Sequence, residues 1–259
     1  MKCGDLNSLI TRVIVLIILI LYALFLYLDF YDANFFITSL ALKYSSIILC
    51  FLLAIFSAKS SMVGLRINKD SNEHEVSNIN IVKNKNRLLL QWGMFITVIA
   101  DLCLVVLNYY ILGIIFFSMV QIIYSVRYTP ERLNVTLINF FITFQLIVFL
   151  YLLVSIFIKE INILIPVSLF YSICLLTSVK KAIKAFNSNL YPSPNKYMIV
   201  FGMILFLLCD ICVALSNITL TIPSTAGFII RFQLIASFLI WVFYLPSQLL
   251  LALSGSCET

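Results

Sequence analysis

Charge is scarce in this chain. Asp, Glu, Lys and Arg make up 11% of its 259 residues, hydrophobic residues make up 63%, and the mean hydropathy is +1.09. Soluble globular domains carry about 25% charge, so that class is excluded. Histidine is nearly absent. The single His74 stands between Glu73 and Glu75 with no second histidine for a metal set, and a solvated position is expected. Cysteines number seven, and Cys50, Cys103, Cys174, Cys209 and Cys212 fall inside apolar runs, where a disulfide framework does not belong. Cys209 and Cys212 have C-x-x-C spacing, but deep in an apolar run rather than at an exposed helix start, so small polarizable packing is their expected role. The formal charge of +6 is dispersed along the chain and forms no single basic patch, which argues against nucleic acid. No cofactor or metal is called for.

What remains is a series of apolar runs. A window of about 20 residues finds eight candidate helices, at approximately 10–28, 35–58, 88–108, 110–128, 135–158, 161–179, 197–216 and 228–253. Only the 59–87 connection is long, and it is polar, carrying Lys59, Arg66, Lys69, Asp70, Glu73, Glu75, Lys83, Lys85 and Arg87. No separate soluble domain fits there. The expectation is an all-α, polytopic transmembrane helix bundle forming a single integral membrane domain over 1–259. Of the 17 basic residues all but Lys43, Lys159 and Arg231 fall on one side of that layout, which makes both termini cytoplasmic by the positive-inside rule. The first run is long enough for a signal anchor and no small-residue cleavage site follows it. A multi-pass protein of the cell membrane is expected.

One pattern occurs twice. Gly93-Met94, Asp101, Cys103 and Asn108 recur without a gap as Gly202-Met203, Asp210, Cys212 and Asn217. These identities fall on scarce residue types, where chance matches are rare. An aspartate in hydrocarbon costs at least about 2.5 kcal/mol and usually faces a bundle interior or a wet cavity. Asp101 and Asp210 each lie about 20 Å from the cytoplasmic end of their run, and Lys43 falls within a turn of that level. The three are expected to share one plane. The repeat also suggests tandem halves, helices 1–4 and 5–8, related by an axis along the membrane normal.

Polar residues recur at helical spacing on neighbouring runs. Gly113, Phe117, Gln121 and Tyr124 line one face, and Trp241, Tyr244 and Gln248 another, with Pro246 expected to kink the last helix. They suggest an amide- and phenol-lined cavity. Gly93, Gly113 and Gly202 are close-packing positions, and Asn108 and Asn217 are read as helix-to-helix hydrogen bonds.

These residues resemble the YhhN-like lysoplasmalogenase family of eight-helix membrane proteins. Lys43 is similar to its second-span lysine. Asp101 with Leu104 resembles its first aspartate motif, and Gly113, Phe117 and Tyr124 fit G-x-x-x-F-x-x-x-H-x-x-Y. Gly202, Phe206 and Asp210 fit G-x-x-x-F-x-x-x-D, and Tyr244 with Gln248 resembles the closing element. The chain departs from the family at Gln121, where histidine is common, and at Tyr44, where proline is. Gln121 carries no proton at neutral pH, so a relay through that histidine is missing.

The resemblance implies hydrolysis of the vinyl ether bond of lysoplasmalogens, with a lysophospholipid drawn from the bilayer as substrate. Either Asp101 or Asp210 would be the general acid and the other would stabilise the cation and orient water. Lys43 would hold the phosphate or keep one aspartate ionised; Gln121, Tyr124, Tyr244 and Gln248 would bind glycerol hydroxyls or water. Two rivals share these features: a proton-coupled transporter, for which Pro166 and Pro246 are too few to define a broken helix, and a non-catalytic lysolipid-binding protein. An intramembrane aspartyl protease is disfavoured, because Leu207, Leu208 and Cys209 precede Asp210 and no G-x-G-D occurs.

Overall fold

A backbone in hydrocarbon has to make its hydrogen bonds within its own segment, which leaves the helix open to apolar runs of this length. The computed structural model is accordingly all-α: α1 Cys3–Tyr31, α2 Phe36–Leu65, α3 Glu73–Asp101, α4 Tyr110–Arg127, α5 Leu133–Phe157, α6 Leu164–Asn187, α7 Asn195–Thr221 and α8 Gly227–Leu253. It describes residues 3–31, 36–65, 73–129, 133–158, 162–221 and 227–255. All eight helices contain a stretch long and apolar enough to cross a membrane, and the chain is a multi-pass membrane protein.

Two expectations need correction. The polar 59–87 connection is helical at both ends, since α2 continues to Leu65 and α3 begins at Glu73. Its Lys, Glu and Arg residues are adequate helix formers, and nothing in them breaks a helix that leaves the hydrocarbon. Of that connection only the side chains from Asn84 onward are described; Lys59, Arg66, Lys69, Asp70, Glu73, His74, Glu75 and Lys83 lie outside. The expected 88–108 span is not one uniform helix either. The α-helix stops at Asp101, a π-helical turn covers Leu102–Val106, and Asn108 takes a left-handed φ of 58°. Leu107 N–H donates to the Leu102 carbonyl at 2.9 Å and Tyr109 N–H to that of Cys103 at 2.7 Å, so the turn into α4 satisfies its own backbone. Asn108 serves where glycine usually closes a helix.

The repeated asparagines are corrected with it. Asn108 is exposed at that turn, and Asn217 is exposed on α7 with its Nδ2 donating to the Val213 carbonyl of its own helix at 2.8 Å. Neither bonds across to another helix from the interior.

The helices group into two compact units. One is Met1–Gly64 with Pro192–Thr259, carrying α1, α2, α7 and α8; the other is Leu65–Tyr191, carrying α3 to α6. In the first, Gly202 lets α8 come close: a Cβ there would stand 2.9 Å from Leu251 Cγ and 3.3 Å from the Ser247 carbonyl. The seam continues through the Phe206 and Tyr244 rings, 5.8 Å apart, to the Ser216 and Ser237 hydroxyls at 2.9 Å. Pro246 sits inside α8 and has no N–H for the Val242 carbonyl one turn earlier. Tyr22 of α1 donates its hydroxyl to that carbonyl at 3.0 Å.

The second unit uses a glycine differently. Gly93 of α3 lies against the Tyr124 ring of α4, where a Cβ would come within 2.5 Å of Cε1. Gln121 of α4 is joined to Ser178 of α6, and the Phe144 and Phe170 rings, 5.4 Å apart, join α5 to α6. Helix α5 buries only Thr136, Phe140 and Ile147 and is apolar all round, the pattern of a helix that faces lipid.

The α8 arrangement makes a prediction. Tyr22→Phe should destabilise the protein by about 1 kcal/mol, the net worth of one hydrogen bond. In a Pro246→Ala background, where residue 246 regains its N–H for Val242, the same change should cost almost nothing. Unfolding titrations of the four proteins give the coupling, and equal costs in both backgrounds would contradict the assignment.

Candidate functional site

The expected site residues divide between the two units. Lys43, Gly202, Asp210, Tyr244 and Gln248 are in the first; Gly93, Asp101, Gly113, Gln121 and Tyr124 are in the second.

In the first unit Lys43 projects from α2 toward α1, and its Nζ lies 2.6 Å from Asp29 Oδ2. Ser39, one turn before Lys43, donates its hydroxyl to the other carboxylate oxygen. The ammonium also lies over two rings, 5.0 Å from the Trp241 centroid and 5.8 Å from that of Phe25. Both side chains of the pair are largely removed from water, Lys43 being 13% and Asp29 20% exposed. A charge in such a place stays ionised only with a close partner of opposite sign, and the rings add attraction through their negative faces. The aspartate that Lys43 holds is therefore Asp29. Sequence reasoning missed it because the expected first span ended at residue 28, one short of it.

The α7–α8 seam continues the site. Gly202 meets α8 at Ser247 and Leu251, Phe206 meets Tyr244, and Ser216 meets Ser237, so Asp210, between the last two contacts, comes level with Trp241. Tyr244 is 5% exposed and packs edge-on to Trp241 with centroids 5.6 Å apart. One turn further, Gln248 is completely buried, and among the described residues neither its Oε1 nor its Nε2 has a hydrogen-bond partner; the neighbouring Ser247 hydroxyl has none there either. An unmade buried amide costs on the order of 1–3 kcal/mol, so a native fold keeps one only where something else is gained.

In the second unit a buried stripe runs along α3 through Arg87, Leu90, Met94, Thr97 and Asp101. Asp101 is 4% exposed and is the last residue before the backbone changes from α to π, a change often found at functional positions. Asp210, its counterpart in the repeat, is half-buried within an unbroken α7. On α4, Gln121 is completely buried; its Oε1 accepts the Ser178 hydroxyl at 2.6 Å, while its Nε2 has no partner. Tyr124 is completely buried too, and its hydroxyl points to Met94 Sδ at 3.3 Å. Gly113 accommodates Leu104, its Cα facing that side chain where a Cβ would collide with it. Between α4, α5 and α6 lies an apolar cleft of about 570 Å³ lined by Ile115, Met119, Phe144, Ile147, Tyr151 and Phe170 among others.

Arg87 and Ser178 also escaped the sequence reading. Arg87 precedes the expected third span by one residue and looked like loop charge; Ser178 in an apolar helix carries no signal until its partner is known. Cys209 and Cys212 are buried.

Residues 76–255 match the model of the YhhN family. No curated protein and no solved structure matches the chain. The matched segment contains both repeated aspartates, Gln121, Tyr244 and Gln248, and begins after Asp29 and Lys43.

The Lys43–Asp29 contact yields the second prediction. Asp29→Asn leaves a half-desolvated ammonium with rings alone, and should cost about 2 kcal/mol, between the values typical of exposed and of fully buried pairs. Adding Lys43→Met should restore part of that loss. Unfolding of purified protein in uncharged micelles reads both, and a double variant weaker than the single one would refute the pairing.

Proposed function

The chain belongs to the YhhN family, and from that premise we propose that it is a membrane-embedded hydrolase of lysoplasmalogens, cleaving their vinyl ether bond to a fatty aldehyde and glycerophospho-ethanolamine or -choline. The observation that carries this reading is the set of intramembrane carboxylates. Among the described residues of the eight spans these are Asp29, Asp101 and Asp210, and Asp29 is taken up by Lys43. Asp101 and Asp210 are the two that the repeated pattern carries, and the reading rests on them.

The reaction has one hard step. A vinyl ether breaks when an acid protonates its outer carbon, leaving an oxocarbenium ion on the carbon bonded to oxygen. Water adds to that carbon, and the resulting hemiacetal collapses to aldehyde and alcohol. A neutral carboxyl supplies the proton and an ionised one stabilises the cation and takes a proton from the water. We assign these roles to Asp101 and Asp210, either one as the acid. Gln248, with donor and acceptor both open, suits a glycerol hydroxyl or the water. The open Nε2 of Gln121 suits an oxygen of the substrate, and Tyr244 walls the same stretch of α8. Lys43, held by Asp29, acts as a fixed positive charge. The apolar cleft of the second unit has the size of a small-molecule pocket and suits a single acyl chain entering from the bilayer. We also read both termini as cytoplasmic, the spans as tandem halves, and the cell membrane as the location, on the basic residues and the repeat.

Gln121 supports a second reading. It stands where the family resemblance expects histidine and is fixed by Ser178, which suits a protein that binds lysolipid without cleaving it.

Aldehyde release by purified protein from a lysoplasmalogen, beside an ester-linked lysolipid, separates the two. Vinyl-ether-specific release is expected, falling at least about 100-fold in Asp101→Asn and in Asp210→Asn, the usual scale of acid–base catalysis. Full turnover in either folded variant would sink the assignment. Saturable binding without release would establish the second reading.

A further inference from the structure

A polar cluster that the proposed chemistry does not use lies at the end of the second unit where α3 enters its apolar stretch and α4 and α6 end. Arg87 is 7% exposed, and its Nε and Nη2 have no hydrogen-bond partner among the described residues. The residue before it, Asn86, accepts Arg127 Nε at 2.8 Å and the Tyr191 hydroxyl at 3.1 Å. Helix α3 thereby brings Arg87 to the level of a second buried guanidinium, Arg127, which is 1% exposed and lies 5.8 Å from each of the Tyr128 and Tyr191 ring centroids.

A buried guanidinium with open N–H groups is expensive unless an anion meets it. Among the side chains described in this unit the only carboxylate is that of Asp101, about 21 Å further along α3 by helical rise. The phenols do not supply the charge. Burial pushes Tyr128 and Tyr191 up, against the opposing pull of the Arg127 charge, so both stay neutral. Exposed Lys85, Lys180 and Lys184 fringe the same end.

We propose that this end of the second unit is a phosphate-binding site, in which the open N–H groups of Arg87 grip the anion and the lysine fringe draws it in. The planar fork of arginine fits two phosphate oxygens at once. Position supports the same class of ligand, because one end of each of the spans Asn84–Val106 and Tyr110–Arg127 lies here, and the ends of membrane-crossing helices adjoin the headgroup layer. A lipid headgroup and a soluble phosphate ester present the same chemistry. The site is remote from Asp101 along α3, and it stands whether or not the protein hydrolyses vinyl ethers.

The test is the melting temperature of the full-length protein in uncharged detergent, titrated with inorganic phosphate, with glycerol 3-phosphate, and with phosphatidylglycerol against uncharged diacylglycerol in mixed micelles. A saturable rise with a phosphate probe is expected; response to the lipid alone identifies a headgroup site, and response to the soluble esters a free-phosphate site. Arg87→Met should raise the half-saturating concentration at least about tenfold, while Arg231→Met, exposed on α8 of the first unit, should leave it within about twofold. Without phosphate, Arg87→Met should melt at or above the wild-type temperature, because it removes a buried charge that no described carboxylate meets. A lower melting temperature would make Arg87 a structural contact and overturn the proposal. So would a wild-type protein indifferent to every phosphate probe, or an Arg87→Met variant that binds as well as wild type.

Discussion

In a chain this poor in charge and this rich in apolar surface, a polar group removed from water has to find its partner inside the protein, and most local features of the structure answer to that demand. The α8 helix shows it at the backbone: Pro246 takes a donor away from Val242, and Tyr22 of α1 supplies another. The turn from α3 to α4 shows it again, where the carbonyls of Leu102 and Cys103 accept the N–H groups of Leu107 and Tyr109 on either side of the left-handed Asn108. Among side chains, the Lys43 ammonium is met by Asp29 and flanked by Trp241 and Phe25. Each solution also fastens two helices together, so satisfying a polar group and fixing the packing are one event.

The same demand makes the exceptions informative. Gln248 keeps both amide atoms unmet, Gln121 keeps its Nε2, and Arg87 keeps two N–H groups, all in buried positions. Unmet groups of this kind are where a ligand's oxygens and hydroxyls would be welcome. We assign the two amides to the carboxylate chemistry and the guanidinium to an anion, a division made on charge.

The internal repeat carries a further lesson. Gly93 and Gly202 both open a close approach, yet one receives a tyrosine ring and the other a leucine and a backbone carbonyl. Asp101 ends an α-helix at a π turn and is buried, whereas Asp210 continues in α and is half-buried. Identical residues at identical spacing thus acquire different surroundings, because what lies across from them is contributed by α4 in one case and α8 in the other.

Much of the architecture was legible in the sequence. An apolar run of some 20 residues is a local signal that depends on no partner, so the eight helices and the membrane class could be read directly, as could the burial of Asp101, Gln121, Tyr244 and Gln248 from their place within such runs; the family was legible only as a resemblance of motifs. The ends of the runs were less clear, since polar residues can continue a helix beyond the hydrocarbon. That is how Asp29 and Arg87, each one residue past an expected boundary, were passed over. The sequence by itself determined which segments leave water. Only the tertiary structure decided that Lys43 pairs with Asp29, that Ser178 holds Gln121, that α3 breaks into a π turn after Asp101, and which buried donors stay open, because a polar side chain's partner is chosen by distance across helices far apart in the chain, and spacing along one helix does not contain that distance.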